Sequence, residues 1–448
     1  MSFETIKDIV DFNPSRPLSK GKEFPFIDMA SLPVNGRDIN EVSNKVFNGG
    51  GAKFKNGDTL FARITPCLEN GKTAKVENLP VGCIAHGSTE FIVLSAKSKD
   101  DEDFVYYLAR LPDFRSYAIS RMEGTSGRQR VSWQALAEFN LRLPEKGKRK
   151  KIGKILKSLD DKIHLNNQIN QTLESIAQTI FKSWFIDFDP VRAKIAAKQE
   201  GKDAELAAMC AISGKSEAEV EQMAKEDFAE LQATAALFPD ELVESELGEV
   251  PNGWEVGKLQ EVIDLNPRRT LKKDSLAPYL DMKNVRTQGH LVDEVILRNM
   301  TSGTKFINGD TLLARITPCL ENGKTAYVDF LLDNEVGWGS TEFIVLRPKE
   351  HLPTALGYFI ARQENFRTLA IQSMTGTSGR QRANADTLAN QSWLIYPADL
   401  MIVFDKYAGK YLTHIKNNGL QNGILKNIRD ALLPKLLSGE LDATLLKK

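Results

Sequence analysis

The stretch from Lys53 to Val76, KFKNGDTLFARITPCLENGKTAKV, occurs again from Lys305 to Val328 as KFINGDTLLARITPCLENGKTAYV, with differences only at Lys55/Ile307, Phe61/Leu313 and Lys75/Tyr327. Shared strand composition does not produce agreement of that length, so the chain is an internal duplication. The offset is 252 residues and holds elsewhere. GSTEFIVL recurs intact at Gly87–Leu94 and Gly339–Leu346, and GTSGRQR at Gly124–Arg130 and Gly376–Arg382. The apolar series Ile163, Leu173, Ile176, Ile180 returns as Ile415, Leu425, Ile428, Leu432. Solenoid repeats run to roughly 20–50 residues, so a period this long means two copies of a domain with its trailing helix.

Bulk properties narrow the class. At 448 residues the chain is too long for one ordinary core. No stretch approaches the roughly 18 apolar residues of a membrane span, and the first residues carry Glu4, Lys7, Asp8 and Asp11 in place of an apolar leader. A soluble, cytoplasmic protein with no membrane partner is expected. Cys67, Cys83, Cys210 and Cys319 form no CxxC pair, which suits reduced thiols. Zero formal net charge argues against a general nucleic-acid coat protein, but the charge is uneven. Lys146–Lys157 holds seven basic residues in twelve, whereas Glu217–Glu249 holds eleven acidic residues against Lys225 alone.

Up to about Pro144, short apolar runs broken by Gly, Pro, Asn and Ser predict strands and turns with an occasional helix. Asn70-Gly71 reads as a hairpin turn, Phe91–Leu94 as a buried strand, Phe104–Phe114 as a helix and Gly124–Arg130 as a polar loop. At Lys146 the texture changes. Ile152, Leu156, Leu159 and Ile163, then Leu173, Ala177, Ile180 and Trp184, fall in alternating steps of three and four, a heptad seam. The two seam positions in the middle are Asn166 and Asn170, with Asn418 and Asn422 in the second copy; polar residues there weaken a coiled coil but fix register and partner. Helical pieces broken at Gly201 and Gly214 lead to Gly248-Glu-Val-Pro-Asn-Gly-Trp254, after which the globular pattern repeats. The boundaries read as 1–145, first globular domain; 146–190, central helix; 191–245, helical connector; 246–398, second globular domain; and 399–448, C-terminal helix.

The alternation of globular unit and long helix, with ARITPCLENGK, GSTEF and TSGRQR in both units, resembles the specificity subunit of Type I restriction-modification enzymes over essentially the whole chain. ALFPDELVESELGEVPNGWE in the connector and PKLLSGEL (Pro434–Leu441) also look like that family. One departure is that the second domain opens on VPNGWEVGKL, while the first begins at Ser2-Phe3-Glu4 without a Pro-x-Gly-Trp lead-in. The resemblance implies an α+β, pseudo-twofold symmetric chain, in which two target recognition domains are separated by two long antiparallel coiled-coil helices. It implies a non-catalytic subunit, each domain reading one half of a bipartite, asymmetric sequence in double-stranded DNA. The helices would act as a spacer and carry methyltransferase subunits, with a restriction/translocase subunit joining them. No cofactor would be bound by this chain; S-adenosylmethionine, ATP and Mg²⁺ would sit on the partner subunits.

Each motif has a functional and a bland reading. In the polar loop, Thr125 and Ser126 offer hydroxyls, Arg128 and Arg130 forked donors, and Gln129 both donor and acceptor, as do Thr377, Ser378, Arg380, Arg382 and Gln381 in the copy. Such groups suit phosphate and base-edge contacts in DNA; the alternative is a solvated turn whose arginines pair with local carboxylates. Arg63 and Arg315 could reach DNA or could form buried pairs with Glu90 and Glu342, and both readings stand. Identical residues cannot read different bases, so discrimination should draw on Lys55/Ile307, Lys75/Tyr327, His86/Trp338 and the Arg16 and Arg268 regions. The Lys146–Lys157 cluster could contact phosphates or merely solubilise a helix start.

Gly71-Lys72-Thr73 is not a phosphate loop, because the first glycine of GxxxxGK[ST] would fall at Pro66, or at Pro318 in the copy. None of the five histidines has metal-ligand spacing, and no Asn/Asp-Pro-Pro-aromatic methyltransferase motif occurs. The competing functions are a stand-alone DNA methyltransferase or nuclease, against which the missing motifs count, and a coiled-coil adaptor without a DNA role, against which the paired basic loops count.

Overall fold

A computed structural model describes residues 4–125, 127–377 and 379–445. It falls into two compact units, one made of the chain up to Asn166 together with the stretch from Leu420, the other of Asn167–Gly419.

In the first unit two four-stranded sheets form the globular body. One has the spatial order Val10–Phe12, Phe91–Ala96, Thr59–Ala62, Thr73–Lys75, all antiparallel. The other runs Ser43–Val46, Glu23–Ile27, Ala85–Gly87, Ala52–Phe54, with the middle pair parallel. Thr59–Ala62 and Phe91–Leu94 are buried without a break because both faces are covered. Phe61, Ile92 and Leu94 pack with Phe104, Leu108 and Phe114 of the helices, while the alternate residues Leu60, Phe91 and Val93 pack with Ile27, Phe54 and Ala85 of the second sheet. The sequence predicts one helix over Phe104–Phe114; the structure has two, Glu102–Arg110 and Pro112–Ser120. Leu111 leaves helical geometry (φ −59°, ψ 129°) because Pro112 disfavours the helical region for the residue before it.

The second unit repeats this body. Its sheets are Ile263–Leu265, Phe343–Pro348, Thr311–Ala314, Thr325–Tyr327 and Ile296–Asn299, Leu276–Leu280, Gly337–Gly339, Thr304–Phe306. Asn13 and Asn266 both take the left-handed conformation (φ 47° and 49°), and their side-chain oxygens accept from Val93 N and Val345 N at 2.8 and 3.0 Å. That fixes the local offset at 253, one more than in the duplicated element. The first copy therefore carries one extra residue between Phe47 and Lys53.

Two helices, Lys146–Phe185 and Ala398–Ser438, are 40 and 41 residues long, about 60 Å each at 1.5 Å per residue. In the first unit Ile152 and Leu156 share a core with Leu433, Leu436 and Leu437, Asp160 pairs with Arg429 and Asn166 with Asn422. As one helix ascends the other descends, so the pair is antiparallel. In the second unit Asn170 meets Asn418, and Phe181 lies 5.5 Å from Phe404 between ring centres, again antiparallel. The central helix stops at Phe185, short of the boundary at 190, because Phe188 turns left-handed (φ 56°) and Asp189-Pro190 opens the next helix. The connector is four short helices, Asp189–Gln199, Ala204–Ser213, Glu217–Glu221 and Lys225–Ala236, with Gly201 and Gly214 both at φ 67° between them. Among the described residues no helix is long and apolar enough to cross a membrane.

Candidate nucleic-acid interface

The three segments that recur intact build one junction. In the first unit the hairpin Thr59–Ala62/Thr73–Lys75 ends in the compact loop 63–72, closed by Ala62 N donating to Lys72 O at 3.1 Å. Arg63 N donates to Glu90 O at 3.0 Å, and Val131 N to Arg63 O at 3.0 Å. Thr65 donates twice to Gln129 O, from N at 3.1 Å and Oγ1 at 3.0 Å, and its Oγ1 accepts from Gln129 N. Glu123 and Arg130 exchange both backbone hydrogen bonds, at 2.9 and 2.8 Å, and pinch the loop between them. Gly124 sits at φ 125°, where an added Cβ would meet Arg128 O at 3.1 Å, so the turn requires glycine. ARITP, GSTEF and GTSGRQR are thus stitched together by main-chain bonds, and the second unit repeats the stitching with Arg315, Thr317, Glu342, Gln381 and Arg382.

The arginines of the junction divide into two kinds. Arg130 grips the Glu90 carboxylate through Nε (2.9 Å) and Nη2 (2.7 Å) and donates from Nη1 to Arg128 O at 3.2 Å; Arg382 does the same with Glu342 and Arg380 O. A forked ion pair of this type fixes the plane of the guanidinium. Three of its five N–H donors are engaged, and two stay available. Arg63 and Arg315, by contrast, hold no side-chain partner among the described residues, and their Nε atoms are buried. A buried donor left unpaired is costly, and here it recurs at the same place in both units. Arg128 and Arg380 are exposed and also without a side-chain partner among the described residues. The carboxylate offered to Arg63 by the sequence is taken by Arg130, so the pairs Arg63–Glu90 and Arg315–Glu342 do not form. Thr125 and Thr377 are exposed at the loop tips; Ser126 and Ser378 lie outside the described residues.

Most of the divergent positions turn inward. His86 and Trp338 are buried; Lys75 pairs with Glu77 and Asp103, and the Tyr327 hydroxyl with Thr354. Arg16 is buried against Asp58, and its counterpart Arg269, not Arg268, reaches Asp310 at 3.1 Å. Of the positions named for discrimination, only Lys55 and Arg268 are well exposed. Much of the basic cluster is paired within its own unit: Lys146 and Lys150 face Asp100, Arg149 forks onto Asp101, Lys148 reaches Asp442, Lys151 the Thr444 carbonyl and Lys157 Asp161. These pairs brace the start of the helix against its own unit. Sequence reasoning passed over Arg115 and Arg367, which pack on the Gly71 and Gly323 turns without side-chain bonds among the described residues. The signal was available, since Phe-Arg recurs at the common offset before each GTSGRQR.

On the helices, Asn166 donates to Asn422 Oδ1 at 2.9 Å and to Gln421 Oε1 at 2.7 Å in the first unit. In the second, Asn418 donates to Asn170 Oδ1 at 2.8 Å. Amide hydrogen bonds of this kind form only in one register.

Fold and site together define a duplicated α+β protein that builds the same arginine-bearing junction twice, each on its own stretch of antiparallel helix pair. Residues 3–175 and 251–428 match the family described as Type I restriction modification DNA specificity domain. The chain belongs to this family and carries its DNA specificity domain twice; sequence specificity for DNA in a Type I restriction-modification system is the role that goes with it. It is 29% identical over 420 residues to the Type I restriction enzyme HindI specificity subunit of Haemophilus influenzae, covering 90% of each chain. It is 23% identical over 351 residues to the MjaIX specificity subunit of Methanocaldococcus jannaschii, covering 76% of this chain and 69% of that one. The crystal structure of a Type I restriction-modification S subunit from M. genitalium shares the fold, with a TM-score of 0.50 at 13% identity over 97% of this chain and 96% of that one.

Proposed function

We propose that this chain is the non-catalytic DNA-reading subunit of a Type I restriction-modification assembly, each recognition domain taking one half of a bipartite, asymmetric target in double-stranded DNA. What carries the reading is the junction: three motifs kept intact across the duplication meet at one place, where they leave Arg63 and Arg128, or Arg315 and Arg380, without side-chain partners among the described residues. Guanidinium groups held on a rigid main-chain frame suit phosphate oxygens and guanine edges. The long helices set the separation of the half-sites and receive methyltransferase subunits, to which a restriction/translocase subunit is added. S-adenosylmethionine, ATP and Mg²⁺ belong to those partners.

The test is binding and methylation of a random-sequence DNA pool by the full chain, alone and with methyltransferase subunits. The reading predicts sequence-selective methylation by the complex and none by the purified chain supplied with S-adenosylmethionine. Methylation by the chain alone would make it an enzyme in its own right, and failure to bind DNA in either state would leave the adaptor reading.

A further inference from the structure

Each recognition domain ends one of its sheets in a short strand whose residues are all exposed: Ser43–Val46 in the first unit and Ile296–Asn299 in the second. The two share no sequence. Register shows them to be equivalent, since Lys45 lies opposite Phe24 and Arg298 opposite Ala277, at the 253-residue offset that also relates Phe26 to Tyr279.

Around the third residue of each strand the two units keep one arrangement with different side chains. The Lys45 ammonium lies 4.5 Å from the centre of the Phe26 ring, and the Arg298 guanidinium 4.8 Å from that of Tyr279 and 5.7 Å from that of Trp338. The carbonyl of the same residue meets a ring nitrogen from the strand two places in: His86 Nε2 is 3.1 Å from Lys45 O, and Trp338 Nε1 donates to Arg298 O at 3.3 Å. The rings pack on each other, Phe26 on His86 at 5.1 Å and Tyr279 on Trp338 at 4.5 Å between centres. An exposed cation is thereby held at a fixed height over an aromatic platform. His86 and Trp338, which differ between the copies, support this perch from inside.

The perch and the junction are joined by one strand. The strand that supplies His86, Ala85–Gly87, runs straight into Ser88–Glu90, where Arg130 is clamped, and it is separated from Ser43–Val46 by the single strand Glu23–Ile27, about 10 Å across the sheet. In the major groove a Lys or Arg reads the O6 and N7 of guanine.

We infer that Lys45 and Arg298, each presented by its exposed edge strand, are base-reading residues of the first and second recognition domains. This rests on the proposed DNA-reading function and assigns within it the division of labour: the repeated junction holds the backbone, the divergent edge strand reads sequence. The differing outer residues, Ser43, Asn44 and Val46 against Ile296, Leu297 and Asn299, supply the remaining difference between half-sites.

Lys45→Met and Arg298→Met keep an aliphatic stem over the ring while removing the cation, and both sites are exposed, so thermal melting should match the parent chain. The variants are assembled with methyltransferase subunits and assayed by methylation of a library varied across both half-sites, at several salt concentrations. Arg298→Met is expected to cut discrimination roughly tenfold or more at one or two positions of one half-site, leaving the other half-site unchanged. Lys45→Met should do the reverse, and Arg298→Lys should restore part of the preference. Unchanged discrimination in both variants overturns the inference, as does weakening that is uniform across sequences with the salt slope reduced by about one, the mark of a phosphate contact. Either of those results leaves the DNA-reading function standing; a parent complex with no preference at either half-site removes both.

Discussion

Arg130 and Glu90 form a forked ion pair 2.7 Å apart at its shortest, and Arg382 and Glu342 form the same pair at the same distance. The carboxylate orients a guanidinium that would otherwise swing freely on an exposed loop. Glu90→Ala should therefore weaken binding at the first half-site several-fold, and alike for parent and altered sequences, because a guanidinium no longer oriented loses its backbone contact. Fluorescence anisotropy on both kinds of DNA measures this, and unchanged affinity would show that the pair has no positioning role.

A buried ion pair joins the helices of the first unit. Arg429 donates to Asp160 at 2.6 Å, and the Tyr107 hydroxyl also donates to Asp160 at 2.6 Å. The second unit has Ala177, Leu412 and Phe359 at the corresponding positions, all inside its apolar core. Asp160→Ala should cost ~3–5 kcal/mol, since it strands a buried guanidinium. The triple change Asp160→Leu, Arg429→Ala, Tyr107→Phe, which copies the second unit, should recover most of that stability in denaturant unfolding. A triple variant no more stable than the single one would refute the equivalence.

His290 gives the second unit a dependence on pH. It is fully buried, with Nε2 3.3 Å from Asp329 and Nδ1 3.9 Å from Glu174, which also accepts from the Tyr358 hydroxyl. Burial alone would lower its pKa, but the two carboxylates outweigh burial and hold it above the ordinary histidine value of 6.5, while Glu174 is held below its own. A pKa raised in the folded state means stability that is complete below about 6.5 and lost as pH rises through the folded value. Melting of the second unit should fall across that window, and His290→Gln should flatten the fall. In the first unit the corresponding residue is Arg37, paired with Asp38 and Asp161, which does not titrate there. Equal sensitivity of both units to pH would contradict the assignment.

If the helices set the half-site separation, one heptad inserted into each, about 10 Å of helix, should lengthen the preferred spacing by about three base pairs. The insertion must keep the Asn166–Asn422 and Asn170–Asn418 pairs intact, since these hold the register. Methylation of targets with graded spacings measures it, and an unchanged optimum would refute the spacer role.

The duplication, the seam and its asparagines, and the three shared motifs were legible because each depends on identity or periodicity, which a sequence displays directly. Less legible was which arginine takes Glu90. Arg63 and Arg130 lie on adjoining segments through the isolated Ile64–Arg130 bridge, and nothing in their spacing ranks them. Divergence at Lys75/Tyr327 and His86/Trp338 resembled a reading surface but is interior accommodation, where a changed side chain is matched by changed neighbours. The edge strands stayed hidden for the opposite reason: they share no residues, and the one-residue insertion between Phe47 and Lys53 breaks the common offset just there. The pairing of the basic run at Lys146–Lys157 was not legible because its carboxylate partners, Asp100, Asp101 and Asp442, are distant in sequence.

The most direct test of one domain for one half-site is methylation of a half-site library by complexes carrying Arg63→Ala with Arg128→Ala, or Arg315→Ala with Arg380→Ala. The first pair should weaken recognition of one half-site and the second pair that of the other, with the salt slope falling by roughly one for each phosphate no longer held. Should either pair disturb both half-sites equally, or leave both intact, the repeated junctions are not the domain-specific DNA contacts.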